Sequence, residues 1–177
     1  IKGMYLFEKH ENAKIQLMGS GAILREVIGA SEILREIYDI PSNVWSVTSF
    51  NELRKDGLDC SRWNTINPSR PPQKSFVTKT LENYEGPCIA ATDYMKAYAD
   101  QIREFVPSTT YRVLGTDGYG RSDSRQRLRN HFEVDKSFIV LTAVKALADD
   151  GILSREIVLD VIDRYKINPD KINPIYS

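Results

Sequence analysis

Thr110-Tyr-Arg-Val-Leu-Gly-Thr-Asp-Gly-Tyr-Gly-Arg-Ser-Asp-Ser-Arg-Gln-Arg-Leu-Arg-Asn-His-Phe-Glu-Val-Asp135 reads as strand, glycine-bent turn and arginine-rich helix in succession. Tyr111 to Leu114 is β-prone and ends at Gly115. Gly115, Gly118 and Gly120 then allow the backbone to bend or to approach a neighbour closely. Ser122 or Asp123 can cap the helix that follows, which carries Leu128 and Phe132 one turn apart. Arg121, Arg125 and Arg129 recur every four residues and are expected along one face of that helix. A glycine turn before a helix can hold an anion. The phosphate loop, however, needs Lys-Ser or Lys-Thr after its last glycine, and here Arg121-Ser122 stands there. The preferred reading is an interface. Asp117, Gly118, Tyr119, Gly120, Arg121, Ser122, Asp123, Arg125 and Arg129 are its candidate residues, meeting carboxylates of another domain or subunit.

Outward from this unit the chain alternates strands and helices. Gly3 to Glu8 and Ala13 to Met18 read as strands, followed by a helix with Ile23, Val27, Ala30, Leu34 and Ile37 inward, stopped by Asp39 and Pro41. Val44 to Thr48 alternates as a third strand. Ser49 caps a helix that Gly57 is expected to break, with a second short helix over Cys60, Trp63 and Asn64. Ser69 to Lys74 is a proline-bearing loop, and Phe76 to Leu81 a weak helix. Cys88 to Thr92 has the uniform apolar character of a strand buried on both faces. Asp93 is expected to start a helix over Tyr94 to Phe105, with Met95, Tyr98, Ile102 and Phe105 inward. Two helices follow Asp135, one packing Phe138, Leu141, Val144 and Leu147, the next starting at Ser154. An extended tail closes the chain. This pattern predicts an α/β domain with a mostly parallel sheet covered on both faces.

The 177 residues suit one domain, and 41% hydrophobic with 27% charged content is that of an ordinary globular protein. The 24 basic and 24 acidic residues cancel, so no global field favours nucleic acid or membrane. No apolar run approaches the ~20 residues that span a bilayer. Cys60 and Cys88 lack a partner pattern and are expected to be reduced thiols. His10 and His131 are the chain's histidines, and with no nucleophile elbow they assemble into no catalytic pair. Gly19-Ser20-Gly21 begins like a dinucleotide fingerprint, but Leu24 replaces its third glycine.

Gly115-Thr-Asp-Gly-Tyr-Gly-Arg-Ser-Asp123 and Leu128-Arg-Asn-His-Phe-Glu-Val-Asp135 resemble the C-terminal region of the bacterial homodimeric pyruvate dehydrogenases, of the transketolase-type superfamily. Met18-Gly-Ser-Gly21 with Ile23-Leu-Arg25 agrees, as do Trp45-Ser-Val-Thr-Ser-Phe-Asn-Glu-Leu53, Ala91-Thr-Asp-Tyr-Met-Lys96 and Lys171-Ile-Asn-Pro174. The resemblance is collinear over nearly the whole chain. It implies a five-stranded, three-layer α/β/α sheet ordered 1-3-2-4-5, the first strand antiparallel. That order would place Gly19, Ser20, Gly21, Thr92 and Asp93 around a switch-point crevice. The chain is then expected to be a single domain, residues 1–177, and a fragment of a much longer bacterial cytoplasmic subunit. That subunit would decarboxylate pyruvate with thiamine diphosphate and magnesium and reductively acetylate lipoyl groups of a dihydrolipoyl acyltransferase. The cofactor ligands would lie in upstream domains, leaving this segment without catalytic, cofactor or metal residues. Its partners would be those upstream domains, the second subunit of a homodimer and the acyltransferase. Two other readings stay open: the same domain of another thiamine-dependent transketolase-type enzyme, or a free-standing nucleotide-binding α/β module.

Overall fold

The computed structural model describes residues 2–177. Five strands, β1 (Met4–Glu8), β2 (Ile15–Gly19), β3 (Ser42–Val47), β4 (Cys88–Ala91) and β5 (Tyr111–Leu114), form one sheet ordered β1-β3-β2-β4-β5. β1 runs antiparallel to β3, and the other pairings are parallel. The expected order, orientation and strand count are those observed.

Both faces of β2, β3 and β4 are buried, so alternation along these strands sorts residues between two cores. Ile15, Leu17, Val44, Ile89 and Ala91 face one side, against α1 (Leu24–Tyr38), α6 (Lys136–Asp149) and α7 (Arg155–Arg164). Met18, Trp45, Val47, Cys88 and Ala90 face the other, against α2 (Phe50–Ile66), α3 (Phe76–Leu81) and α4 (Lys96–Asp100). The period-two pattern of β3 therefore separates two interiors rather than core from solvent, and all six of its residues are buried. α6 packs against both α1 and α7 as well as the sheet, so it is apolar on several sides.

Several local expectations are corrected. Gly57 does not end a helix: α2 runs unbroken from Phe50 to Ile66. A Cβ at Gly57 would overlap the Phe105 ring, so the glycine admits a neighbouring aromatic into the helix surface. The long helix expected from Asp93 is instead the short α4, with Met95 as its N-cap, followed by a 3-10 turn, Arg103–Phe105. Ala99, Ile102 and Phe105 are buried there, whereas Met95 and Tyr98 are exposed. Ile37 is also exposed, in the last turn of α1 before Asp39 closes it in the left-handed conformation, φ 53°. The tail is not wholly extended: Pro174–Tyr176 forms a 3-10 turn and Pro174 is buried.

Candidate functional site

The chain leaves β2 towards one side of the sheet and β4 towards the other, although these strands are neighbours. Their carboxyl ends therefore part into a crevice, where open α/β sheets tend to bind ligands. Hydrogen bonds between successive loops fix its rim. Ser20 N donates to Ala91 O at 3.1 Å, and Thr92 N to Leu114 O at 3.0 Å. Thr116 N donates to Tyr94 O at 3.0 Å, and Thr116 Oγ1 to Asp93 O at 3.1 Å. The Asp117 carboxylate accepts from Lys96 N at 2.9 Å, tying the glycine turn to the start of α4. Gly118, at φ 114°, lies against the Pro174 carbonyl, where any side chain would collide with the tail.

The turn leads into α5 (Arg125–His131). Ser124, rather than Ser122 or Asp123, is its N-cap, the hydroxyl accepting from Arg127 N at 3.4 Å; the Asp123 carboxylate accepts instead from Ser124 N at 2.6 Å. Arg121 thus precedes the helix and does not share a helical face with Arg125 and Arg129. The three come together by another route, as walls of one crevice of about 650 Å³. Asp93, Thr116, Gly118, Gly120 and Asp123 also line it, over an apolar floor of Ile23, Leu128, Phe132 and Val134.

Of the residues singled out at the switch point, Asp93 thus shares this crevice with Gly118, Gly120, Arg121, Asp123, Arg125 and Arg129. They do not all face the same way. Gly19 and Thr92 are buried inside the rim, Ser20 is half-buried, and Gly21 is exposed at φ 58°. A Cβ on Gly21 would lie 2.9 Å from an Asp93 carboxylate oxygen, so the Asp93 side chain covers this loop. Arg129 is engaged within the chain: its guanidinium meets Glu26 at 2.7 Å, both side chains largely buried, and Glu26 also accepts from Lys136 N at 3.0 Å. This pair clamps α5 to α1 and to the start of α6. Arg127 lies 3.8 Å from Asp123. Tyr119, Gly120, Arg121, Ser122 and Asp123 are exposed, and nothing lies within 4 Å of the position a Gly120 side chain would take.

His131 sits behind this wall. Its ring meets Phe132 edge-on at 4.9 Å, and its Nε2 is buried without a hydrogen-bond partner. Desolvation, then the nearby charges of Arg121 and Lys171, hold its pKa below the ordinary 6.5. That nitrogen is thus held away from solvent. Leu128 and Phe132, which the sequence places one turn apart, form the crevice floor; that spacing was the available signal. Thr116 gave none.

No group of three or more His, Cys, Asp or Glu side chains stands together among the described residues, and no helix is long and apolar enough to cross a membrane. The crevice offers guanidinium groups with two separate carboxylates, which does not suit magnesium's octahedral oxygen shell. No residue here is assigned to a thiamine diphosphate or its metal.

Residues 3–135 match the transketolase-like TK C-terminal domain family. The chain is 55% identical over 178 residues to the pyruvate dehydrogenase E1 component of Pseudomonas aeruginosa, covering 99% of this chain and 20% of that one. It is 49% identical over 175 residues to the Escherichia coli E1 component, covering 98% and 20%. It thus spans about a fifth of the length of these curated relatives. Among solved structures it is similar to transketolase from Campylobacter jejuni, with TM-score 0.57, 19% identity and coverage of 81% of this chain and 18% of that one. A Pichia stipitis transketolase matches with TM-score 0.57 and 17% identity over 85% of this chain and 18% of that one. These two share its fold. Sheet order, the antiparallel first strand and the match over residues 3–135 agree, and the chain belongs to the transketolase-like C-terminal domain family.

Proposed function

We infer that the chain serves as the C-terminal domain of a pyruvate dehydrogenase E1 component. The observation that carries this is 55% identity over 99% of the chain to an E1 component, sustained near half in several bacterial relatives. The transketolases matched by fold are below 20% identical and support no substrate assignment. The complete subunit would decarboxylate pyruvate and pass the two-carbon unit to lipoyl groups of an acyltransferase, in the bacterial cytoplasm. Thiamine diphosphate, which upstream domains would hold with magnesium, would supply the carbanion stabilisation in that chemistry.

The contribution of this chain is mechanical. The rim bonds from Thr116 and Asp117 hold the glycine turn rigid at its base, while Tyr119 to Asp123 project from it. A rigid, projecting segment carrying an aromatic ring and opposite charges is suited to contact another domain or the second subunit of a homodimer. The isolated chain is accordingly expected neither to bind thiamine diphosphate nor to act on pyruvate.

A domain exchange tests the reading. Replacing the corresponding fifth of the Pseudomonas aeruginosa E1 component by this chain should leave pyruvate-dependent activity within about tenfold of the parent, or ~1.4 kcal/mol. Deleting that fifth should abolish activity. A folded chimera that is inactive, or a truncated enzyme as active as the parent, would overturn the proposal.

A further inference from the structure

The charges in the crevice do not cancel among themselves. Arg129 is matched by Glu26, and Asp123 lies nearest Arg127. Arg121 and Arg125 form no ion pair and no side-chain hydrogen bond among the described residues, yet both line the same crevice. Asp93, whose carboxylate likewise has no ion-pair partner among the described residues, lines the crevice too. Leu128 and Phe132, half-buried and apolar, line it as well. The cavity, about 650 Å³, is of the size that takes a small organic molecule.

From this arrangement we propose that the crevice binds a small organic acid. Its carboxylate bridges Arg121 and Arg125, and its apolar body rests on Leu128 and Phe132. A hydrogen-bond donor or an ammonium group at the far end points to Asp93. Guanidinium groups are suited to carboxylates because the planar fork matches the two oxygens. An acid charged negatively at both ends meets Asp93 and is rejected. The proposal shares Arg121 with the assembly reading but needs nothing beyond the 177 residues.

The test is a titration of the isotope-labelled chain followed by amide resonances over residues 115–134. Four probes divide the chemistry. Phenylacetate supplies ring and acid, phenylalanine adds an ammonium group, benzyl alcohol removes the acid, and inorganic sulfate removes the ring. The two acids should give saturable shifts, with benzyl alcohol and sulfate at least about tenfold weaker. Arg121→Gln with Arg125→Gln should weaken both acids about tenfold or more, and Asp93→Asn should weaken phenylalanine more than phenylacetate. Acids that bind no better than the alcohol in the unaltered chain overturn the proposal, whatever the variants do. So does an arginine double variant that is folded and binds as the parent does. Either result leaves the domain exchange unaffected, so the two readings fail separately.

Discussion

Gln16 is a fully buried amide on the central strand, a residue type that interiors accept when its hydrogen bonds are satisfied. Its Oε1 accepts from Asn43 Nδ2 at 3.1 Å and from Trp45 Nε1 at 3.0 Å, and its Nε2 donates to Glu85 O at 2.9 Å. Replacing Gln16 by Leu leaves two buried donors and a carbonyl without their partner, so stability should drop by about 2–4 kcal/mol in denaturant unfolding. None of this network was legible beforehand, because its members lie on different strands and a loop. His131 gives a second prediction. Its folded-state pKa is lowered, so the unfolded chain takes up the proton first. The stability linked to it is present above the unfolded value of 6.5 and is lost as pH falls through that value towards the folded one. Denaturation midpoints should decline between about pH 7 and pH 5, and less steeply in His131→Gln. The cysteines, expected as reduced thiols, are free and differ in access. Cys88 is buried and pushed up to about 12 by burial, so alkylation of the native chain should modify Cys60 well before Cys88.

Among elements, the helices show where sequence periodicity works and where a neighbour overrides it. Ser49, Ser75 and Asp135 each accept from a first-turn amide, and the residues they precede follow the apolar spacing. Gly57 looked like a terminator because glycine costs a helix about 1 kcal/mol relative to alanine. The structure inverts that inference: the Phe105 ring, distant in sequence, needs the space. Gly57→Ala should therefore destabilise the chain despite better helix propensity, and Gly57→Ala with Phe105→Ala should show non-additive losses in thermal unfolding. Asp39 is the opposite case. It closes α1 at φ 53°, a conformation that costs glycine nothing. Asp39→Gly should raise stability by roughly 0.5–1 kcal/mol, measured by the same unfolding experiment. The region from Asp93 to Phe105 misled for a related reason. Its apolar residues have helical spacing, but Tyr94, Met95 and Tyr98 stay exposed at the loop rim while Ala99 and Ile102 carry the packing.

At the scale of the whole molecule, the sheet was the most legible feature. Short apolar strands alternating with amphipathic helices predict a covered parallel sheet, and the family resemblance supplied the order in which the strands lie. The candidate site was legible in two separate halves. That Asp93 shares a crevice with Arg121, Arg125 and Arg129 depends on the sheet order, which no local pattern encodes. Engagement of Asp117 and Arg129 within the chain was likewise hidden, since their partners are remote in sequence. What remains projecting is Tyr119 to Asp123, the segment assigned to contacts with the rest of a larger enzyme. Amide hydrogen exchange measured over residues 117–123, in the isolated chain and in the E1 chimera, tests that assignment directly. Exchange should be fast in the isolated chain and protected at least about tenfold in the chimera. Equal exchange in both would contradict it.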